Sequence, residues 1–367
     1  MQVDLAREGD DAEILRILRE NPVEGAIQVA LEREPSSFLA GAVQGDLHQV
    51  VVARDESSGR LMGMGSRSVL VAYVNGRETR LGYLSQLRLD RGHRGRTRLI
   101  AAGYARLRDL HRADSTPFSI TTIVQDNRPA RRLLECGLKG LPTYRALEPI
   151  LTLTLPLTRR RKARPSGVTL ERGSARNLGE IAECLQRNGR RHQFAPRWTE
   201  DDLLSPARSR GLRPEDFRLA RREGKVIGCL ARWDQTGFKQ TVVRGYEPGL
   251  GLLRPLLNLA APWLRRPRLP PAGEQVRHAF VSHIAVDCDD PEVFLTLLAD
   301  VYRDSIGGPF DYLILALARR HPLADAVKCV LPHREYVSIL YLVHWEDSAA
   351  AAGELDGRVP HVEAAIL

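Results

Sequence analysis

An internal repeat constrains the fold of this chain more than any other feature. The stretch 80–90 (RLGYLSQLRLD) matches the stretch 277–287 (RHAFVSHIAVD) position for position, and each has the apolar character of a long strand. Other kinds of segment recur around this pair in the same order, which chance rarely produces. Repeats of this kind are structural units, so the sequence predicts two copies of one α/β unit in tandem.

Each repeated segment has a predictable type. Apolar residues at i, i+1 and i+4 predict an amphipathic helix after a short strand, and β-rich runs around a Gly-containing turn predict a hairpin. A strand followed by a helix comes next, and a β-rich run after Leu-Pro ends each copy. The paired segments, first copy then second, are 13–21 and 180–188 (helix), 50–64 and 217–229 (hairpin), 120–135 and 313–328 (strand, then helix), and 150–157 and 337–343 (strand).

The repeat divides the chain into two predicted domains, 1–157 and 168–346, joined by a basic, Pro-containing linker at 158–167. The alternation of strands and helices predicts an α/β (α+β) fold, with a mixed, mostly antiparallel sheet flanked by helices in each copy. The second copy carries an insertion, 252–275, which begins as a short apolar helix and continues as a Pro-rich loop. The tail 347–367 has too little apolar content to pack firmly and is expected to fray.

Composition and the first residues favour a cytoplasmic protein. The longest apolar runs are far shorter than the ~18 residues of a membrane span, and the first residues lack the basic-then-apolar order of a secretory signal. The five cysteines are scattered, odd in number and form no CxxC pair, as expected in a reducing compartment. No cluster has metal-ligand spacing, so the sequence predicts no metal. The short apolar runs likewise predict no membrane partner.

The net charge of +9 raises the question of a nucleic-acid partner. The excess is spread along the chain, and its one dense run, 159–165, falls in the predicted linker, where solvated charge is the usual explanation. A basic surface equally suits an anionic cofactor or substrate. The sequence therefore does not favour a nucleic-acid partner, although tRNA stays open as an alternative.

One loop in the first copy predicts a phosphate site. Apolar residues at 3.6-residue spacing predict a helix that begins near Thr97. The first backbone N–H groups of a helix lack partners, and its positive dipole end faces the preceding loop. In that loop Gly95 lets the backbone approach a ligand closely, while Arg94, Arg96 and Arg98 add positive charge. A pyrophosphate group would be well held there.

This segment resembles one in the GNAT superfamily of acyl-CoA N-acyltransferases, where a long strand ends in a loop containing Arg-Gly and then opens a helix. The run 124–137 (VQDNRPARRLLECG) is similar to the superfamily's Asn-x-x-Ala-x-x-Leu helix, which ends near a Gly. The resemblance covers most of 1–157, and it implies acetyl-CoA or another acyl-CoA as co-substrate, with its pyrophosphate in the loop and its pantetheine arm along the long strand. The cofactor-binding residues that it implies are Leu87, Arg88, Leu89, Arg94, Gly95, Arg96, Thr97, Arg98 and Asn127.

The second copy departs from this pattern. After its long strand come four carboxylates, and an Asp followed by Pro291 makes a good helix start. The four acids are Asp287, Asp289, Asp290 and Glu292. Each would repel a pyrophosphate by about 1 kcal/mol or more at short range, and Asn127 is replaced by Arg320 in the repeat. We therefore expect a degenerate copy that does not bind coenzyme A in the usual way.

The sequence also suggests candidate catalytic residues. Transfer to an amine needs a donor for the developing oxyanion, which backbone N–H groups of the long strand can supply. The Tyr that GNAT enzymes often carry on the Asn-x-x-Ala helix is replaced by Leu134, and two further loop glycines of the family are replaced by Thr97 and Leu99. The candidate catalytic residues are Tyr83, where some family members carry a carboxylate base on the long strand, and Tyr144, which could swing toward the same cleft.

Three functions fit these features. The first is an N-acyltransferase that moves an acetyl or other acyl group from acyl-CoA to an amine of a small molecule, and it rests on the Arg-Gly loop and the Asn127 helix. The second is an aminoacyl-tRNA-dependent peptidyltransferase-like enzyme, which the basic balance and the imperfect glycine loop allow. The third is a non-catalytic tandem GNAT pseudoenzyme or scaffold, suggested by Leu134 and by the acidic second copy.

Overall fold

A sheet of twelve strands forms the centre of the molecule. This architecture is that of a computed structural model, which describes residues 1–93, 95–114, 116–158 and 167–367. Most of the predicted linker, 159–166, lies outside the described residues. Among the helices of the described ranges, none combines the length and the apolar character that crossing a bilayer requires.

The helices and strands follow the order that the repeat predicts. The strands are β1 (Gln2–Leu5), β2 (Ile27–Glu32), β3 (Leu47–Arg54), β4 (Leu61–Val74), β5 (Arg77–Leu89), β6 (Ser119–Val124), β7 (Thr143–Pro156), β8 (Thr169–Arg172), β9 (Phe217–Arg222), β10 (Lys225–Trp233), β11 (Gln240–Tyr246), β12 (His278–Val286), β13 (Tyr312–Ala318) and β14 (Arg334–His344). The helices are α1 (Asp11–Glu20), α2 (Ser37–Gly41), α3 (Thr97–Ala113), α4 (Arg128–Glu135), α5 (Leu178–Gly189), α6 (Glu200–Leu204), α7 (Pro248–Leu264), α8 (Pro291–Ser305), α9 (Pro322–Val330) and α10 (Ala349–Gly353). The predicted hairpins, long strands, strand–helix pairs and inserted apolar helix are all present, whereas β2, β11 and the short helices were not predicted.

Neighbouring strands of the large sheet follow the order β1-β3-β4-β5-β6-β14-β7-β13-β12-β10-β9-β8, and β2 pairs separately with β11. The pairs β5–β6 and β12–β13 are parallel. The other described pairs are antiparallel. The predicted α/β class with a mixed, mostly antiparallel sheet flanked by helices is therefore confirmed.

The two repeats exchange their last strands. β14, from the second repeat, lies between β6 and β7 and pairs with the full length of β6. β7, from the first repeat, pairs in turn with the full length of β13. Five strands of each repeat therefore flank the central β14–β7 pair. Since one sheet runs through both repeats, the sheet marks no boundary between two domains. The bounds 1–157 and 168–346 therefore remain our proposal for the domains.

The hydrophobic core also joins the repeats. One cluster of buried side chains combines Leu81 and Phe118 of the first repeat with Ile181 and Phe217 of the second. A further cluster packs α3 and α4 against the sheet and includes Tyr341 of β14. Each repeat thus supplies apolar side chains that the other buries, which stabilises both halves together.

The tail 347–367 is packed, so the expectation that it would fray was wrong. Val362 and Ile366 are buried in the cluster that joins the repeats. The backbone N–H of His361 donates to the carbonyl oxygen of Gln193 at 2.8 Å. A few well-spaced apolar residues suffice here because the second repeat offers them an opening, which the composition of the tail does not reveal.

Candidate functional site

The opening between β5 and β6 is here called the first cleft. These parallel strands pair at Gly82/Ser119 and Tyr83/Ile120. The described pairing stops there, although β5 continues to Leu89. A strand that leaves its neighbour has backbone N–H and C=O groups free for another partner. The first cleft can therefore accept an extended ligand along β5, the strand to which the sequence resemblance assigned a pantetheine arm.

A β-bulge interrupts β5 beside the first cleft. The register of β5 against β4 shifts between Met64 and Ser66, and Gln86 has a φ of 55°, which is uncommon for a residue other than Gly. With the Gln86 amide oriented so that its oxygen faces Arg33, Nε and Nη2 of Arg33 donate to that oxygen at 2.6 and 2.5 Å. Burial of the Arg33 guanidinium lowers its pKa to about 10. Bulges of this kind redirect backbone groups next to active sites.

The loop after β5 presents the start of α3 to solvent. Gly95 has a φ of 81°, a conformation that favours glycine. α3 begins at Thr97, and its N-cap residue, Arg96, makes no side-chain hydrogen bond to it. The first N–H groups of α3 therefore have no side-chain cap. Because Arg96, Thr97 and Arg98 are exposed, this helix start combines positive charge with N–H groups that no side chain caps in the described residues, which is the geometry of an anion site.

Two further residues decide whether this loop has room and charge for a ligand. Arg94 lies outside the described residues, so its contribution stays a prediction. Leu99 stands where the family has a glycine, but its side chain is buried against Ala53 and Met62. It therefore points into the core and leaves the solvent side of the loop open.

The other predicted cofactor residues lie on the two sides of the first cleft. On β5, Leu87 is exposed, and Arg88 and Leu89 are half-buried. The Nη1 of Arg88 donates to the carbonyl oxygen of Leu87 at 3.0 Å. Across the cleft, Asn127 caps α4, since its Oδ1 accepts from the N–H of Ala130 at 3.2 Å. The structure thus gives Asn127 a structural partner, and its contact with a cofactor stays a prediction.

The two predicted catalytic tyrosines are buried. Tyr83 is 6% exposed, and burial raises the pKa of its phenol. The hydroxyl of Tyr144 lies 2.5 Å from that of Tyr104 on α3, and burial raises the pKa of Tyr144 well above its usual value. Both phenols stay protonated at neutral pH, so they can donate a proton but cannot serve as a base. Tyr144 packs in the cluster under α3 and α4, and the structure shows no swing toward the cleft.

The opening between β12 and β13, the second cleft, has the same bulge but is filled. Its strands pair from His278 to Phe280, and His283, which corresponds to Gln86, has a φ of 53°. The Oε2 of Glu363, in the tail, accepts from the N–H of His283 at 2.7 Å, and the segment after Glu363 contacts both strands. Burial raises the pKa of Glu363 to about 7. The chain's own carboxylate therefore occupies a bulge donor of the second cleft.

The loop after β12 also differs from its counterpart. The Oδ1 of Asp290 accepts from the N–H groups of Glu292 at 2.9 Å and Val293 at 3.4 Å, which confirms the predicted Asp-Pro helix start. These are the donors that a phosphate would otherwise use. Asp287 and Asp289 each pair with an arginine, at 2.9 and 2.6 Å. The acidic residues are therefore partly neutralised, but the start of α8 is already occupied.

A cluster of two histidines and a carboxylate lies beside this loop and was not predicted, because its members come from three distant segments. Ligand-type atoms of His192, Asp289 and His321 lie within 4.8 Å of one another, the one such group in the described ranges. The N–H of Leu323 donates to Nδ1 of His321 at 3.2 Å, which places the imidazole proton on Nε2, 3.9 Å from Asp289. His321 therefore directs a proton rather than a lone pair at the carboxylate, and we assign no metal to this cluster.

No family model and no curated protein matches this sequence, but solved structures match the fold. A probable N-acyltransferase from Enterococcus faecalis V583 has 11% identity and a TM-score of 0.52, and the match covers 94% of this chain and 73% of that one. The glucosamine N-acetyltransferase region of a fungal multi-domain GH3 β-N-acetylglucosaminidase has 15% identity and a TM-score of 0.60, covering 93% and 38%. Saccharomyces cerevisiae N-myristoyltransferase with bound myristoyl-CoA has 12% identity and a TM-score of 0.57, covering 93% and 82%. Identities this low show a shared fold and nothing finer.

Proposed function

We propose that this chain, whose fold is that of the GNAT superfamily, transfers an acetyl or other acyl group from acyl-CoA to an amine of a small acceptor. We assign the site to the first repeat. The observation that supports this most is that the first cleft leads directly into Gly95 and the uncapped, arginine-bearing start of α3. Acyl-CoA is an extended thioester with a pyrophosphate at its far end, so it suits both features. The yeast N-myristoyltransferase of the same fold is a precedent, since its structure holds myristoyl-CoA.

The proposed binding mode follows from these features. The pyrophosphate oxygens would accept hydrogen bonds from the first N–H groups of α3, and Arg96 and Arg98 would add charge-assisted contacts. The amides of the pantetheine arm would pair with the backbone of β5 beyond Tyr83. The thioester carbonyl would then reach the bulge at Gln86, where a backbone N–H can stabilise the oxyanion.

Acyl transfer at this position needs two proton movements. An alkyl ammonium has a reference pKa near ~10.4, so the acceptor must lose a proton to solvent before its nitrogen attacks the thioester carbon. When the C–S bond breaks, a donor protonates the departing thiolate, and the second proton that the nitrogen releases restores the donor. We propose Tyr83 for the second step, because its phenol is protonated and lies on β5 close to the bulge. Tyr144 is a weaker proposal, since Tyr104 already engages its hydroxyl.

Calorimetric titration of acetyl-CoA and desulfo-CoA tests the site. We expect the wild type to bind, and Arg96→Glu/Arg98→Glu to bind about a hundredfold more weakly, because two charge reversals replace attraction to the pyrophosphate by repulsion. Arg176→Glu is the matched control, since Arg176 is an exposed arginine just before α5 in the second repeat. It should keep wild-type affinity. A wild type that binds neither ligand would remove the proposal.

A non-catalytic acyl-CoA-binding protein is the second candidate, and the burial of the tyrosines favours it. Tyr83 is buried, Tyr144 is engaged by Tyr104, and Leu134 stands where the family often has a Tyr. Release of the free thiol of coenzyme A, followed with a panel of amines, separates the two candidates. Turnover with any amine would exclude the non-catalytic one, and binding without turnover would support it. Salt-sensitive binding of tRNA, by a wild type that ignores acyl-CoA, would instead favour the aminoacyl-tRNA-dependent alternative.

A further inference from the structure

The helix α7 presents its apolar side to solvent. Of the 14 large hydrophobic side chains that are exposed in the described ranges, seven belong to this one helix. Leu252, Leu256, Leu259 and Trp263 are exposed by 82, 64, 68 and 77%. Their spacing of i, i+4, i+7 and i+11 puts them on one stripe of the helix. A contiguous exposed apolar patch of this kind marks an interaction site.

The polar side of α7 faces the protein, which reverses the usual arrangement. Asn258 donates through Nδ2 to the carbonyl oxygen of Leu269 at 3.0 Å, and its Oδ1 accepts from the N–H of Leu269 at 2.7 Å. Nη1 of Arg254 reaches the same carbonyl at 3.5 Å. Ala261 is buried on this side. The returning loop therefore anchors α7 by its polar stripe, and these bonds hold the apolar stripe outward.

The charge around the apolar stripe has one sign. Between Glu247 and Glu274 the sequence contains arginines and no acidic residue. Arg265, Arg266 and Arg268 directly follow the helix and are exposed. Within the described part of the chain they join no ion pair. A partner that covers the leucines would therefore meet free cations at the end of the helix, so its complementary charge is negative.

We propose that α7 and the arginines at 265–268 dock the protein onto an anionic lipid surface. The apolar stripe would enter the boundary between headgroups and acyl chains, with α7 lying in the plane of the surface. Trp263 suits the level of the headgroups, and the arginines that follow it suit lipid phosphates. The expectation of no membrane partner considered spanning segments, and peripheral docking needs none. This proposal does not depend on the proposed acyl transfer.

Intrinsic fluorescence gives a selective readout of this docking. Trp198, Trp233 and Trp345 are 2, 0 and 5% exposed, so Trp263 is the Trp that a lipid surface can reach. With vesicles of phosphatidylcholine and phosphatidylglycerol in equal amounts, we expect emission at shorter wavelength and flotation of the full chain. Vesicles of phosphatidylcholine alone should bind roughly tenfold more weakly, because the arginines lose their anionic partners.

Surface variants separate the apolar and the electrostatic contributions. Leu256→Ser/Leu259→Ser should weaken binding to the mixed vesicles roughly a hundredfold, because two leucines no longer transfer into the lipid boundary. Arg265→Gln/Arg266→Gln should weaken it roughly tenfold and reduce the preference for anionic lipid. Leu204→Ser is the matched control, since Leu204 is 56% exposed at the end of α6. It should bind like the wild type.

Two results would overturn the proposal. One is a wild type that neither floats with the mixed vesicles nor changes its emission in their presence. The other is a wild-type dimer in light scattering that Leu256→Ser/Leu259→Ser makes monomeric while vesicle binding is unchanged, which would show that a second copy of the chain covers α7. Circular dichroism and thermal unfolding check that each variant is folded, and exposed positions of this kind should tolerate the changes.

Discussion

The first and second clefts share a strand pattern but differ in whether side chains of the chain itself occupy their backbone donors. Both long strands carry a left-handed residue at the bulge, Gln86 in one and His283 in the other. In the second cleft Glu363 accepts the N–H of His283, and Asp290 accepts the first N–H groups of α8. In the first cleft Arg96 gives α3 no side-chain cap. The chain thus supplies its own carboxylates at two places whose counterparts in the first cleft we propose to meet the negative charge of acyl-CoA.

On our proposal, the second repeat keeps the fold of the first without its binding site. The bulge and the strand–loop–helix order survive in the second repeat because they hold the sheet and core together. The donors at these two places are instead satisfied by carboxylates of the chain itself. The counterparts of these donors in the first repeat, the bulge at Gln86 and the start of α3, are the ones to which we assign the proposed ligand.

Separating the two repeats should have the largest effect on folding. Residues 1–158 alone would lose β14, which pairs with the whole of β6 and places Tyr341 in the cluster under α3 and α4. Residues 167–367 alone would lose β7 from the edge of β13. We expect neither piece to unfold cooperatively by itself, and the two pieces to regain the near-UV circular dichroism of the whole chain when co-expressed. A cooperative transition of 1–158 alone would show that the first cleft does not need the second repeat.

The carboxylate that fills the second cleft should make stability depend on pH. The native pKa of Glu363 is about 7, above its ordinary 4.5, so its stabilising effect is complete below about pH 4.5 and is lost as pH rises through 7. Relative to Glu363→Gln, the wild type should therefore lose about 3 kcal/mol of unfolding free energy across that range. Urea unfolding of both proteins from acidic to neutral pH measures this. Parallel pH profiles would mean that Glu363 titrates normally and does not seal the cleft.

Adding a single methyl group at the base of the first cleft should lower the free energy of unfolding. A Cβ at Gly82 would lie 2.1 Å from Oγ and 2.9 Å from Cβ of Ser119, so β5 and β6 would have to shift. We expect Gly82→Ala to cost about 1–3 kcal/mol and to weaken acyl-CoA binding, as measured by urea unfolding and calorimetry. Gly82→Ala/Ser119→Gly should recover part of both losses, because the obstructing side chain is gone. The second repeat has Ala279 at this position, and Ala279→Gly should leave acyl-CoA binding unchanged.

Local patterns predicted most of the fold, because each element carries its own periodicity. The helix start at Thr97 and the Asp-Pro start of α8 were both predictable from a few neighbouring residues. The exchange of β7 and β14 was not, since strand partners are chosen by packing across the whole sheet. Two contacts could not be predicted either, because their residues lie far apart in the sequence. These are the bond between Tyr104 and Tyr144 and that between Glu363 and His283.

The smallest expected change in unfolding free energy is at Asn127, where two variants separate the role of helix cap from that of cofactor contact. Its side chain caps α4, so Asn127→Ala should cost about 1 kcal/mol of unfolding free energy. Asn127→Asp keeps a capping oxygen and should keep that stability. If Asn127 also lies beside the pyrophosphate, as the sequence resemblance implies, the added negative charge of the Asp variant should weaken acyl-CoA binding about tenfold. Urea unfolding and calorimetry on the same two variants measure both quantities. Unchanged affinity in Asn127→Asp would restrict Asn127 to the helix cap and place the anion contacts of the first cleft on α3.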